Sequence, residues 1–235
     1  MLRNFPDPAG IERRHGLAPG ALLATAFAPE RLTPVGTGGI IDARWRADIT
    51  ERLAAVIGSV RAAAAVDEWS ASPGLVQTDV LGLLREVRGT VAVLLLTDVT
   101  SRLPHDLQRL GLHDAVDAIV NSADVGVAEP APAALLAAHE HVERLLGEHV
   151  QPSDVLFVDD PPGNVEAAAA TGWRTHRFTM SPPSPPRCVT WRSNCRDRRE
   201  KSAEVHDADW LREIHTRRRA HRQHVTTTLM IDDHG

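Results

Sequence analysis

Three short apolar runs, "VAVLLL" at 91–96, "VDAIV" at 116–120 and "VLFVDD" at 155–160, alternate with helix-patterned stretches. That alternation constrains the fold more than any other feature of the chain. Short runs rich in Val and Leu read as strands buried on both faces, and strands separated by helices read as βαβ units of a parallel sheet. The expected class is therefore α/β with a Rossmann-like parallel core. The intervening stretches fit this pattern. Val76, Val80, Leu83, Leu84 and Val87 predict one helix stripe, Ser101 predicts the start of another helix, and Pro132 opens "PAPAALLAAHEHVERLL". "RTHRF" at 174–178 is the expected last strand.

Ahead of this core, residues 10–72 show helical periodicity without strand alternation. It is clearest in "IIDARWRADITERLAAVIG", where Ile41, Trp45, Ile49, Leu53 and Val56 share one face. The expected organisation is a helical cap at 1–72, an α/β core at 73–179 and a tail at 180–235. The tail is rich in Pro, Arg and His, has little apolar period, and is expected to be disordered. Its "HTRRRAHRQH" could touch RNA, DNA or an acidic partner, but a solvated tail is by far the plainer reading, and the whole-chain charge of -5 gives no reason to expect nucleic acid or an anionic membrane as a partner. With no apolar run of bilayer length and no signal-peptide pattern at the N-terminus, the expectation is a cytoplasmic protein. Cys188 and Cys195, both in the tail with His206 nearby, support neither a disulfide framework nor a zinc site with a second ligand pair.

Asp159 and Asp160 stand at the carboxyl end of the third run, the end where open α/β sheets bind ligands. Asp160 also reads as a helix N-cap before Pro161 and Pro162, with Gly172 closing that helix. No such account covers Asp159. Two adjacent carboxylates at a buried strand end repel each other and resist desolvation unless a cation or hydrogen-bond donors compensate, which points to a metal site. Among other candidates, His139 and His141 are two apart on a helix and read as solvated surface. Trp45 and Trp69 read as core, or as the lining of a substrate entrance.

In this order and spacing, residues 76–179 resemble the haloacid dehalogenase-like (HAD) hydrolase superfamily, in its subgroup with a helical cap after the first strand. "VLFVDDPPGNVEAAAATGW" resembles the family's fourth motif, which implies that Asp159 binds Mg²⁺ and Asp160 supports the metal site. "LLLTDVTSRL" resembles the second motif, which implies that Thr97 holds the substrate phosphate. The next residue is Asp98 where many relatives have Asn. The resemblance implies hydrolysis of a small phosphorylated or similar molecule by an Asp nucleophile on the first strand, helped by a third-motif Lys.

Two of these parts depart from the pattern. "VGVAEPAPAAL" resembles the third motif, but Glu129 occupies the Lys position and reverses the charge there. The family's first strand, ending in Asp-x-Asp, has no counterpart in "MLRNFPDPAG", and Asp7 between two prolines is not assigned as nucleophile. No catalytic residue is assigned. The missing strand would lie in mid-sheet and leave its neighbours with unpaired backbone groups. "VTTTLMIDDHG" at 225–235 is a β-prone run that would fill the gap in a permuted arrangement; a frayed terminus is the plainer expectation, and its Asp232 and Asp233 are adjacent instead of spaced. The expectation is a family member impaired in catalysis. The alternatives are a noncatalytic cation- or partner-binding protein, or an incomplete reading of an active hydrolase gene.

Overall fold

The computed structural model describes residues 2–179 together with the backbone of 226–231. A two-residue antiparallel pair, β1 (Arg3–Asn4) with β2 (Leu75–Val76), ties the N-terminus to the start of the core. Between them lie α1 (Ala9–His15), α2 (Ala21–Ala26), α3 (Pro29–Gly36), α4 (Asp42–Ile57) and α5 (Ser59–Ser70). These helices enclose their own apolar cluster around Leu22, Val35, Trp45, Ile49, Leu53 and Val66. Ile41 and Val56, placed on the buried stripe by periodicity, are instead exposed; Ile41 precedes α4 and Val56 lies in its last turn.

Glu12 on α1 is buried, and its carboxylate accepts hydrogen bonds from the backbone N–H groups of Gly20 (2.8 Å) and Leu22 (2.9 Å) at the start of α2. It supplies from another helix the cap that Gly20 has no side chain to give. Glu12→Ala is expected to lower stability by about 2 kcal/mol, because two donors lose a charged acceptor. An unchanged urea midpoint would rule this role out.

The core contains α6 (Thr78–Val87), β3 (Ala92–Thr97), α7 (Leu103–Arg109), β4 (Ala118–Asn121), α8 (Ser122–Val125), α9 (Pro132–Leu146), β5 (Val155–Asp159), α10 (Pro162–Ala170), β6 (Arg174–Arg177) and β7 (Thr226–Ile231). The strands form one parallel sheet in the order β4-β3-β7-β5-β6. The near-continuous apolar runs follow from this architecture. Val93, Leu95, Leu156 and Val158 face a cluster with α6 and α7, whereas Leu94, Leu96, Val155 and Phe157 face one with α9 and α10. With both faces covered by helices, alternate residues have no polar side to occupy.

Several boundaries differ from expectation. Val76 belongs to β2, and α6 begins at Thr78. α7 begins at Leu103, because the Ser101 hydroxyl is turned to the cap, where it accepts from the Asp42 N–H (3.1 Å). α10 follows Pro161 with no side-chain cap, so Asp160 is not its N-cap. His139 is not solvated surface: its ring stacks on Trp173 at 6.0 Å and accepts the indole N–H at 3.2 Å.

The largest correction concerns the centre of the sheet. The gap expected between β3 and β5 is filled by β7, whose residues 226–231 pair with 92–97 of β3 and whose residues 226–229 pair with 155–158 of β5. The part of the tail at 226–231 is therefore strand. Cys188, Cys195, His206 and the segment "HTRRRAHRQH" lie outside the described residues, as do Asp232 and Asp233.

Candidate functional site at the carboxyl edge of the sheet

Parallel strands bring their carboxyl ends to one edge. Thr97 ends β3 opposite Asn121 of β4 and Ile231 of β7, and Asp159 ends β5 opposite Arg177 of β6. Residues far apart in sequence thus meet along one line. Thr97 is 1% exposed. Asp98 follows it, and its Oδ2 accepts the Glu129 backbone N–H at 2.9 Å, which brings the second- and third-motif segments together. The backbone of Glu129 thus lies against the Asp98 carboxylate.

Asp159 is fully buried. Its Oδ2 accepts from Asn164 Nδ2 at 3.0 Å, while Oδ1 has no hydrogen-bond partner among the described residues. Burial pushes its pKa up to about 7, against the opposing effect of the Asn164 bond and of the Asp160 N–H, and the Asp160 charge raises it further. Asp160 itself is exposed. Asn164, in the first turn of α10 five residues after Asp159, has a positioning role that sequence reasoning did not assign. The buried Asn121 was also missed; its Nδ2 donates to the Thr100 carbonyl (3.2 Å) and its Oδ1 accepts from the Ala123 N–H (3.2 Å), fixing the loops after β3 and β4.

The helical cap sits over this edge. Thr100 donates its hydroxyl hydrogen to Asp42 Oδ1 at 2.9 Å, and Asp42 also pairs with Arg46. Gly38, at φ 72°, lies so close to the core that a Cβ there would stand 2.0 Å from the Ala123 carbonyl oxygen. Only glycine combines that conformation with that approach. Between cap and core lies a cavity of about 620 Å³, with Phe27, Trp45 and Trp69 on the cap side and Asp98, Val99 and Thr100 on the core side. Trp45 is 6% exposed and joins the cap core, as expected, whereas Trp69 is half-buried where it packs on that core at the cavity wall.

A parallel sheet with a helical cap over its acidic carboxyl edge defines a capped α/β protein. The chain belongs to the haloacid dehalogenase-like hydrolase family, whose model matches residues 31–172, more than half of its length. In structure it is similar to a HAD family enzyme of Bacteroides thetaiotaomicron crystallised with magnesium and inorganic phosphate. The two share 18% identity, with a TM-score of 0.57 over 76% of this chain and 89% of that one. It is also similar to L-2-haloacid dehalogenase of Xanthobacter autotrophicus with chloropropionic acid covalently bound, at 19% identity and a TM-score of 0.53 over 77% of this chain and 75% of that one. At these identities the likeness is one of fold. No curated protein matches the chain. No helix among the described residues is long and apolar enough to cross a membrane.

The family implies Mg²⁺. Asp159 fits one ligand position, as a buried carboxylate oxygen without a partner among the described residues and with a pKa raised by desolvation. The described residues do not complete a donor set: among them no three His, Cys, Asp or Glu side chains are grouped to hold a metal ion.

Proposed function

We propose that the protein is a hydrolase for a small molecule held between cap and core, that its carboxyl-terminal strand stands in for the family's first strand, and that it turns over phosphate monoesters poorly. The observation that carries this reading is the position of β7. A parallel strand between β3 and β5, with Ile231 opposite Thr97, runs toward the edge that holds Asp98 and Asp159. Asp232 is the next residue in the chain, and Asp233 and His234 follow it. Asp232 is proposed as the nucleophile. In family chemistry such a carboxylate attacks phosphorus or carbon and expels the leaving group, and water then releases the product from the covalent intermediate. The position two residues on, an acid in the family's phosphatases, is His234, also a group able to carry a proton.

The proposed impairment rests on charge. Glu129 replaces a cation with an anion next to Asp98, and an incoming phosphate meets like charge in a partly desolvated site. Thr97 and Asp98 are proposed to contact substrate, and Asp159 to bind Mg²⁺ with support from Asp160. The purified full chain should show weak Mg²⁺-dependent hydrolysis of p-nitrophenyl phosphate that disappears in Asp232→Asn. Glu129→Lys should raise kcat/KM at least about tenfold, the equivalent of about 1.4 kcal/mol. Equal rates for the parent chain and Asp232→Asn would overturn the assignment of the nucleophile. The buried Asp159 Oδ1, without a hydrogen-bond partner among the described residues, favours a second reading, a noncatalytic cation-binding protein. That reading requires Mg²⁺ to stabilise the fold while no substrate is turned over.

A further inference from the structure

The cavity between cap and core differs in character from the edge beneath it. Leu23, Phe27, Leu32 and Trp69 line it, each half-buried and so presenting apolar surface to the space. Phe27, Trp45 and Trp69 form a mutually packed group, with centroids 5.6 to 6.3 Å apart and ring planes inclined by 37° to 78°. The Trp45 indole N–H is spent on the Ala26 carbonyl at 3.1 Å, so this residue offers the cavity ring surface and no donor.

The charged groups of the wall are already engaged: Asp98 accepts the Glu129 backbone N–H, Asp7 accepts the Ala9 backbone N–H, and the remaining acids face arginines. Arg46 pairs with Asp42. Arg102 Nε donates to Asp106 Oδ1 at 3.0 Å, and Arg3 donates to the Pro73 carbonyl at 3.0 Å with Asp106 Oδ2 3.9 Å away. A ligand with its own anionic or polyhydroxylated body would have to break these pairs or leave its polar groups facing aromatic carbon, and either is unfavourable in a partly desolvated space. An uncharged apolar body meets no such penalty and gains contact with the rings.

We infer that the molecule taken by this cleft carries an uncharged, apolar body of aromatic size beside its reacting group, and that sugar-like and multiply charged molecules are discriminated against. The inference rests on the reading of the cleft as the substrate site and adds the class of substrate. The cavity volume is that of an ordinary small-molecule site, with room for a bicyclic aromatic.

The test is calorimetric titration of the resting full-length protein with 2-naphthol and with glucose 6-phosphate, so that occupancy is read without turnover. 2-Naphthol should bind at least about tenfold more tightly than the sugar phosphate, and Trp69→Ala should weaken it at least about tenfold. Leu32→Gln, at another half-buried position of the same wall, should weaken it in the same direction and serves if Trp69→Ala loses its far-UV signature. Equal or tighter binding of glucose 6-phosphate, or unaltered naphthol binding in folded wall variants, overturns the inference. Naphthol binding without hydrolysis of any naphthyl ester would overturn the proposed reaction and leave the substrate class standing; turnover of sugar phosphates without naphthol binding would do the reverse.

Discussion

Asp159→Asn is expected to make the protein more stable at pH 8 and to flatten its stability between pH 5 and pH 8. Asp159 is fully buried, and burial raises its pKa from 3.8 to about 7. In the unfolded chain the group ionises near 3.8, so between these values the folded state holds a proton that the unfolded state has released. The sign follows: the penalty is absent below the unfolded pKa, grows as pH rises through this window, and is complete above about 7. At about 1.4 kcal/mol per pKa unit the full effect is about 4 kcal/mol. Urea unfolding in EDTA should show the parent chain losing stability from pH 5 to pH 8 and the Asn variant losing little. Mg²⁺ should then restore stability to the parent at pH 8 and not to the variant. Parallel pH profiles for the two proteins would sink the account.

Leu229→Pro is expected to cost about 4 kcal/mol or more, the range reached when a buried backbone network is broken. Leu229 pairs with Leu95 on one side and Val158 on the other, so this strand position has no solvent edge. Proline removes a ladder N–H and is not accommodated in a central strand. Amide exchange should accelerate across residues 93–96 and 156–158, while the cap around Ile49 and Leu53, which has its own apolar cluster, keeps its protection. A shift in Tm of less than roughly 2 °C with unchanged exchange would mean that β7 contributes nothing to the sheet.

Much of the core was legible because its signals are local. "VAVLLL", "VDAIV" and "VLFVDD" are apolar on successive residues, since both faces of their strands are covered, and Pro132 opens α9 as its fixed φ predicts. The motif-bearing residues could be placed on strand ends for the same reason. What escaped were contacts between distant segments. Nothing near Asp42 in the sequence announces that Thr100 and Ser101 will bond to it, and nothing near Glu12 announces that it caps α2. Asn164 carried a weak signal, five residues after an acid at the start of a helix, but its bond to Asp159 is a matter of side-chain direction.

The sequence by itself determined the class of fold and the family resemblance, because apolar period and residue identity are properties of short stretches. Only the tertiary structure decided where residues 226–231 go. A β-prone run at a chain terminus has the same local pattern whether it frays or pairs. The choice depends on the backbone donors and acceptors that β3 and β5 present to each other across a gap one strand wide, and those exist only once the rest of the sheet has formed.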